Sequence, residues 1–309
     1  MSGADFARFG RIALARGGDS AEREISLRSG RAVAAALARL GLEFIELDGA
    51  PAVVEAALGG EIDTVFNLLH GRGGEDGCLQ GALSLYPVAI TGSGLLGSAL
   101  AMDKLASKKI WHGDGLPTPP WRVATDPGMA GEIEASLGLP AFVKPAREGS
   151  SVGMTRVERP GALGAAIERA LHHDDMVLVE RLIEGGEYTA SILDGQPLPL
   201  IRIVTAREFY DYDAKYQSGD TEYHCPCGLD QAREREVQRL ALDAFKALGC
   251  SGWGRVDLML DSTGQPWLLE ANTVPGMTDQ SLVPKAAQAA GINFDALVAR
   301  ILATARRLT

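Results

Sequence analysis

Short apolar runs bounded by glycine alternate with helix-like patterns over the first third of the chain. Between 21 and 41 apolar residues recur at helical spacing, and Gly41 then stops the pattern. The runs that are typical of buried strands are 11–18, 44–48, 64–71 and 87–92. Strands that alternate with helices predict a doubly wound α/β domain with a parallel sheet, which ends near Met102.

A group of prolines at 117–120 separates this region from a second one that is rich in strands, because helices rarely continue through such a cluster. The strand candidates that follow are 141–146, 154–158, 176–181, 187–193 and 199–204, with helices near 160–172, 231–248 and 293–307. The polar and aromatic stretch 205–230 has no regular period and is interpreted as an irregular, mobile loop.

Two apolar segments at 252–260 and 265–272 flank the turn sequence at 261–264, which predicts a β-hairpin. If 261 pairs with 264, position 255 lies opposite 270 and position 257 opposite 268. Side chains alternate between the two faces of a strand. One face then carries Arg255, Asp257, Glu270 and Asn272, and the core face carries Val256, Leu258, Leu260, Trp267 and Leu269.

The polar face of this hairpin has the chemistry of a magnesium site. Two carboxylates and an amide offer the oxygen ligands that Mg²⁺ prefers. Burying Asp257 beside Glu270 without a cation would also be costly, because like charges disfavour each other. The same residues could instead form the solvated face of a surface hairpin, and spacing alone leaves both interpretations open.

Composition narrows the class of protein. The chain has 309 residues, enough for two or three domains, with 46% hydrophobic and 23% charged residues. No apolar run reaches the roughly 18–20 residues that cross a bilayer, and the N-terminus is too polar for a signal peptide. These features predict a cytoplasmic protein with no membrane partner. The net charge of −10 argues against nucleic acid as a partner but is compatible with ATP.

Neither of the common glycine-rich phosphate-binding fingerprints occurs, so phosphates would have to be held in another way. Lys144 ends a strand, and the loop 149–153 could close over a ligand with its backbone N–H groups. An ordinary hairpin loop would explain the same residues. Other charged residues that could serve a site or simply face solvent are Lys104, Lys108, Lys109, Lys215, Glu180 and Glu187.

Two N-terminal residues stand at strand ends. Glu22 follows a strand-to-helix turn, where Asp19 and Glu22 resemble a helix capping box. His70 ends a strand, before a glycine-rich segment, at the sheet edge where open α/β sheets bind ligands. The sequence His-Cys-Pro-Cys at 224–227 could suggest zinc, but a second pair of ligands is not evident.

Taken together, blocks along nearly the whole chain resemble the D-alanine–D-alanine ligases of the ATP-grasp superfamily. The blocks are 17–26, 70–81, 91–104, 143–154, 210–216, 252–260 and 268–284. The resemblance implies an N-terminal α/β domain at 1–103, a central small ATP-grasp domain at 104–190 and a large C-terminal ATP-grasp domain at 191–309. It also implies that the loop 205–230 closes as a lid.

The resemblance assigns the ATP and metal contacts. Phosphates would contact Lys104, Lys144 and Lys215, with Ser151 of the glycine loop also at the nucleotide. Glu180 and Glu187 would fix adenine and ribose, aided by the backbone near Ile183. Two Mg²⁺ ions, replaceable by Mn²⁺, would be held by Asp257, Glu270 and Asn272, with Glu270 bridging them.

Substrate contacts are implied in the same way. Glu22 would bind the ammonium of the first D-alanine, with His70 nearby, and would share hydrogen bonds with Ser150 and Tyr216. The carboxylate of the second D-alanine would reach Ser281 and Leu282. Arg255 and the N–H of Gly276 would hold the tetrahedral oxyanion, a role worth about 3–4 kcal/mol per donor in comparable sites.

The implied reaction has two steps, in which ATP converts the first carboxylate to an acylphosphate and the amine of the second D-alanine displaces phosphate. The family resemblance also suggests a homodimer. Two alternatives are considered: a D-alanine–D-lactate ligase, which Tyr216 disfavours, and a non-catalytic ATP-binding regulator, which the intact polar hairpin disfavours.

Overall fold

The computed structural model describes residues 6–149, 152–205 and 221–308, which form three β-sheets with helices packed on them. The first sheet contains strands β1 (Ile12–Arg16), β2 (Phe44–Asp48), β3 (Thr64–Asn67) and β4 (Ala89–Ile90), with β15 (Arg306–Arg307) at one edge. Its order is β15-β4-β3-β1-β2. The first four strands are parallel and β15 is antiparallel.

The helices of this first unit are α1 (Arg23–Arg39), α2 (Gly49–Leu58), α3 (Cys78–Leu83) and α4 (Leu95–Met102), preceded by a 3-10 turn at Ala7–Phe9. Burial is consistent with the parallel arrangement, because β1 and β3 are buried along almost their whole length and are therefore covered on both faces. The predicted doubly wound parallel unit is therefore confirmed.

The second sheet is antiparallel, with the order β5-β8-β6-β7. Its strands are β5 (Trp121–Ala124), β6 (Ala141–Pro145), β7 (Thr155–Val157) and β8 (Val177–Arg181). The helices around it are α5 (Lys104–Gly113), α6 (Ala130–Leu137) and α7 (Leu163–Leu171), with a 3-10 turn at Pro127–Met129. Helix α7 presents Ala166, Ile167 and Ala170 to the buried face of this sheet.

The third sheet is also antiparallel and contains β9 (Gly185–Leu193), β10 (Gln196–Pro197), β11 (Ile201–Thr205), β12 (Thr221–His224), β13 (Trp253–Asp261) and β14 (Pro266–Asn272). Its order is β12-β11-β9-β13-β14, with β10 beside β9. The helices that follow its strands are α8 (Gln231–Ala247), α9 (Leu282–Ala289) and α10 (Phe294–Ala303). No helix among the described residues is long and apolar enough to cross a membrane.

The interpretation of 205–230 as irregular is wrong at both of its ends. Thr205 closes β11, and Thr221–His224 pairs with β11 as the edge strand β12. Near the other end Asp230 caps helix α8, because its carboxylate accepts the N–H groups of Ala232 and Arg233 at 3.0 Å each. The middle of the predicted lid, 206–220, lies outside the described residues.

The predicted register of the β13–β14 hairpin is also wrong. Arg255 pairs with Asn272 and Asp257 with Glu270, whereas beyond Asp257 the register shifts so that Leu258 pairs with Leu268. A bulge of this kind sets two residues of one strand, here Leu269 and Glu270, against one residue of the other.

The bulge changes which side chains of β14 reach the core. Leu268 is fully buried in the cluster that includes Val256 and Leu258, whereas Trp267 and Leu269 are only partly buried. The indole N–H of Trp267 donates instead to the Asp261 carboxylate at 2.9 Å. Strict alternation could not have shown this, because the extra residue reverses the faces beyond it.

The C-terminal helices pack on the first sheet. One apolar cluster joins Leu14 and Phe66 of that sheet to Val298 and Ile301 of α10. At its rim Arg39 of α1 pairs with Asp295, with the closest atoms 2.6 Å apart. The same cluster contains Ile203 and Trp253 of the third sheet, so the first and third sheets share a core.

Candidate active site

A cleft of about 380 Å³ opens between the second and third sheets. Lys144 and Glu180 reach it from the second sheet, and Glu187 reaches it from β9. Ile183 lies in the connection between the two sheets. The remaining apolar lining includes Pro119, Phe142, Met154, Leu182, Met259 and Leu269. Four of the residues predicted to bind ATP thus line one cavity, and the bulge in β14 supplies Leu269 to its wall.

Three charged side chains form a buried cluster of ion pairs at the inner wall of this cleft. Glu180 is almost fully buried, and its Oε1 contacts Lys144 while its Oε2 lies 3.0 Å from the ammonium of Lys108. Lys108 is completely buried. The interpretation of Lys108 as a solvated surface lysine is therefore wrong.

The pKa values in this cluster of ion pairs follow from burial and from the opposite charges nearby. Burial alone would raise the pKa of Glu180, but the charges of Lys108 and Lys144 outweigh it and bring that pKa down to about 2. Burial lowers the pKa of Lys108, and Glu180 opposes that shift. Since each charge is stabilised by its neighbour, the carboxylate stays ionised next to the cleft.

Asp257 is the centre of the polar face of the hairpin. Its two carboxylate oxygens accept hydrogen bonds from the Nε and one terminal nitrogen of Arg255, at 2.8 Å each. Thr189 donates to Asp257 at 2.7 Å and the amide nitrogen of Asn272 donates at 3.1 Å. The guanidinium of Arg255 is thereby held in a fixed orientation, as a bidentate pair requires.

Lys104 joins helix α5 to this hairpin. Its ammonium lies 3.3 Å from the Glu270 carboxylate and donates to the carbonyl of Glu148 at 2.7 Å. Because Glu270 pairs with Asp257 in the sheet, two carboxylates and the Asn272 amide stand together. This set contains only oxygen donors of the kind that hard cations bind, so the residues fit Mg²⁺.

Glu22 occupies the junction between the first and second units. A Cβ atom added to Gly71 or to Gly149 would lie only 2.9 Å from its Oε2. Gly71 also has a positive φ of 72°, which favours glycine. The carboxylate therefore lies closely against both glycine-rich loops.

The capping-box interpretation of Asp19 and Glu22 is wrong. Glu22 precedes the first residue of α1, and its side chain makes no capping hydrogen bond. The local hydrogen bonds come from Ser20, whose hydroxyl donates to the carbonyl of His70 at 2.7 Å and accepts the N–H of Glu22 at 3.2 Å. The Glu22 carboxylate is therefore directed at the two glycine loops and not at the helix backbone.

His70 and Ser29 tie the first sheet to the loop that follows β14. His70 is buried, and its Nε2 lies 3.4 Å from the hydroxyl of Ser29. That hydroxyl accepts the N–H of Met277 at 3.0 Å. Burial lowers the pKa of His70, with the Glu22 carboxylate opposing the shift. The ring is therefore neutral near pH 7 and lies close to Glu22, as a substrate contact would require.

Glu75 reaches the same loop, although no sequence pattern had singled it out. Its Oε2 accepts the N–H of Gly71 at 2.7 Å and its Oε1 accepts the N–H of Val274 at 3.2 Å. Loss of water around the carboxyl group, followed by repulsion from Glu22, raises the pKa of Glu75 to about 8. At neutral pH this group mostly carries a proton.

The loop after β14 presents Gly276 close to the start of helix α9. A Cβ atom at Gly276 would lie 2.8 Å from the Ser281 hydroxyl, so the close approach requires glycine. That hydroxyl accepts the Thr278 N–H at 2.9 Å. Ser281 precedes α9, whereas Leu282 is buried in the core beneath it. Backbone N–H groups at a helix start suit a carboxylate.

The predicted residues fall into four groups. The cleft contains Lys144, Glu180, Ile183 and Glu187; the hairpin contains Arg255, Asp257, Glu270 and Asn272, with Lys104 beside them; the junction contains Glu22 and His70, and the loop after β14 brings Gly276, Ser281 and Leu282. Ser150, Ser151, Lys215 and Tyr216 lie outside the described residues.

Comparison with known proteins gives a consistent result. A family model described as D-ala D-ala ligase C-terminus matches residues 110–303. The D-alanine–D-alanine ligase of Alkalilimnicola ehrlichii is 54% identical over 307 residues, 99% of this chain and 98% of that protein. The crystal structure of the D-alanine–D-alanine ligase from Bacillus anthracis aligns with a TM-score of 0.84 and 38% identity over 95% of this chain and 96% of that one.

A second structure from Bacillus anthracis is of the same kind of ligase complexed with ATP. It aligns with a TM-score of 0.83 and 35% identity, over 95% of this chain and 96% of that one. The similarity in sequence and in structure therefore extends over all three sheets.

The raised pKa of Glu75 predicts a specific pH dependence of stability. A carboxyl group whose pKa is higher in the folded protein than in the unfolded chain loses stabilisation as the pH rises between the two values. The side chain in Glu75→Gln cannot ionise. The thermal midpoint of this variant minus that of the wild type is therefore expected to be larger at pH 8, about the folded pKa, than at pH 5, about the unfolded pKa.

Calorimetry at both pH values measures this difference. The matched control is Glu43→Gln, because Glu43 is exposed and should leave the difference constant. If the thermal midpoints of Glu75→Gln and the wild type differed by the same amount at both pH values, that result would contradict a protonated Glu75.

Proposed function

Because the chain belongs to the family of D-alanine–D-alanine ligases, with an ATP-grasp fold, we propose how its own residues use ATP to join two D-alanine molecules. The predicted family, fold class and ligase activity are confirmed by the full-length similarity, and the two alternatives are not favoured. The feature that supports the assignment of roles is strand β13, which supplies Met259 to the wall of the cleft and carries the fixed charges of the Arg255–Asp257 pair.

ATP is assigned to the cleft between the second and third sheets. We propose that Glu180 and Ile183 contact adenine between the apolar walls that Phe142 and Leu269 supply. Glu187, further out on β9, would contact the ribose. The two lysines nearest the charged end, Lys144 and Lys104, would contact the phosphates, because each already faces a carboxylate that an incoming phosphate could replace. Ser151 and Lys215 are proposed as further nucleotide contacts.

The first D-alanine is assigned to the junction at Glu22. Its ammonium would pair with the Glu22 carboxylate, near the neutral ring of His70. The tight approach of Gly71 and Gly149 to Glu22 leaves a small space there, which suits a substrate whose side chain is one methyl group. Ser150 and Tyr216 are proposed to complete this hydrogen-bonded group.

The second step requires stabilisation of a tetrahedral oxyanion. Arg255 is proposed as one donor, because Asp257 holds its guanidinium in place, and the N–H of Gly276 as the other. Each donor of this kind contributes about 3–4 kcal/mol in comparable sites. The carboxylate of the second D-alanine would meet the backbone at Ser281 and Leu282, where helix α9 begins.

Asp257, Glu270 and Asn272 are proposed as the residues that would hold two Mg²⁺ ions, for which Mn²⁺ could substitute. When bound, such ions neutralise charge that develops on the transferred phosphoryl group. Arg255 and Lys104 already offset the two carboxylates, so the chain keeps these acids together before a metal arrives.

We further propose the domain division 1–103, 104–190 and 191–309, which follows the three sheets except at two points: strand β9 runs through the second boundary, and β15 joins the first sheet. The cytoplasm is proposed as the location because ATP is available there. A homodimer is proposed because Leu85, Leu95 and Leu96 are exposed together near α3 and α4, with Leu95 lying over Gly81.

Incubation with ATP, Mg²⁺ and D-alanine tests the assigned activity. Mass spectrometry is expected to detect D-alanyl-D-alanine together with ADP and phosphate. L-alanine is the stereochemical control, and a mixture of D-alanine with D-lactate tests the depsipeptide alternative. ADP release that does not depend on D-alanine would refute the assignment.

Glu270→Gln tests the proposed metal site. The substitution keeps the shape but removes the charge, so the Mg²⁺ concentration for half-maximal activity is expected to rise by roughly tenfold or more. Direct titration with Mn²⁺, followed by electron paramagnetic resonance, should show weaker binding. Glu132→Gln, at an exposed position on α6, is the matched control. Equal Mn²⁺ affinity of Glu270→Gln and wild type would contradict the assignment.

Leu96→Glu tests the proposed dimer. Light scattering of the wild type is expected to give twice the 32.6 kDa of one chain. A charge at Leu96 in the exposed leucine patch should shift the mass toward the monomer, because an unpaired charge is costly in an apolar interface. Ile45→Glu, on the strand at the opposite edge of the first sheet, should leave the mass unchanged. A monomeric wild type would contradict the dimer.

A further inference from the structure

Lys108 is a buried charge for which the proposed reaction has so far no use. Its side chain is completely buried, on the face of α5 that also buries Leu105 and Trp111. Burying an ammonium group costs several kcal/mol, so an apolar residue of similar length would fill this position at lower cost. The position of the lysine therefore calls for an explanation other than packing.

The ammonium of Lys108 is held from several sides. It donates to the hydroxyl of Thr118 at 2.5 Å and to the carbonyl of Pro119 at 3.2 Å. Thr118 in turn donates to the carbonyl of Leu268 on β14 at 2.9 Å. The ring of Trp121 lies 5.4 Å from the ammonium, within range of a cation–π contact. These contacts fix the cation without help from Glu180.

Glu180 is the carboxylate that pairs with this fixed ammonium group. Its Oε2 lies 3.0 Å from Lys108, and its Oε1 contacts Lys144. A carboxylate has about four lone-pair sites, so two lysines leave acceptor capacity toward the cleft. The charged groups that line the cleft further out are Arg156, Arg181, Glu184, Glu187 and Arg202. Lys108 and Lys144 are the cations that pair with Glu180 among the described residues.

The two purine nucleotides differ at the position that such an acceptor would meet. Adenine carries an amino group, which donates a hydrogen bond, whereas guanine carries a carbonyl oxygen, which accepts one. An ionised carboxylate can pair with the first and repels the second. A protonated carboxylic acid can donate as well as accept, and so would lose this discrimination.

We propose that Lys108 is a positioning residue that keeps Glu180 an ionised acceptor and thereby makes the cleft select adenine over guanine nucleotides. The inference rests on the proposed function, because it takes the base of ATP to lie in the cleft beside Glu180. Lys108 itself contacts no substrate. Its effect reaches the nucleotide through the orientation and charge of Glu180.

Lys108→Met tests this role, because methionine keeps an unbranched chain of similar length without the charge. The measured quantity is the ratio of kcat/KM with ATP to kcat/KM with GTP in the D-alanine-dependent reaction. The ratio is expected to fall by roughly tenfold or more, as for a buried hydrogen bond that loses its partner. Lys109→Met, exposed on the same helix, should keep the wild-type ratio.

Two further measurements separate this role from a structural one. In Lys108→Met the preference for ATP should recover as the pH rises, because a Glu180 that has lost one cation holds its proton to higher pH. In a Glu180→Gln background, Lys108→Met should cause no further fall in the ratio. A merely structural lysine would lower kcat/KM for both nucleotides equally, and that result would overturn the proposal.

Thr118→Val provides a second route if Lys108→Met does not fold. Removing the hydroxyl frees one anchor of the ammonium, so the ATP-to-GTP ratio should fall in the same direction but less. An unchanged ratio in Thr118→Val would then overturn the role of Lys108. A wild type that forms no D-alanyl-D-alanine with ATP would instead refute the proposed function, so the two failures are distinguishable.

Discussion

Charges removed from water must find partners inside the protein, and this constraint organises the whole cleft. Asp257 is held by Arg255, Glu270 by Lys104, and Glu180 by Lys108 together with Lys144. Lys104 on α5 joins the second unit to Glu270 of the third sheet, whereas the other pairs fix a carboxylate within one unit. Since burying these ions is costly without their partners, the pairs also determine which side chains a ligand must displace.

Much of the fold could be predicted because the spacing of apolar residues and the positions of glycine and proline are local properties of the sequence. Helix α1 and strand β8 lie close to their predicted positions. The bulge in β14 could not be predicted, since one extra residue changes the register without changing the apolar alternation on either side. Strand β12 was missed because an edge strand with a solvated face resembles a polar loop.

In the candidate site, too, some residues could be predicted from the local sequence and others could not. Arg255, Asp257 and Asn272 stand in one hairpin, so their common face followed from local spacing even though the register was wrong. Lys108 was not recognised as a buried charge because its partner, Glu180, is distant in sequence. Its helical spacing with the apolar residues Leu105 and Trp111 did indicate that it lies on the buried face of α5. Glu75 carried no such signal, because its raised pKa depends on burial in the folded protein and on repulsion from Glu22, which is distant in sequence.

The shared core between the first sheet and helix α10 has a consequence for biosynthesis. Translation releases the N-terminal strands long before α10 and β15, which complete the core around Leu14 and Phe66. The nascent N-terminal unit therefore exposes part of this apolar face until α10 has been synthesised.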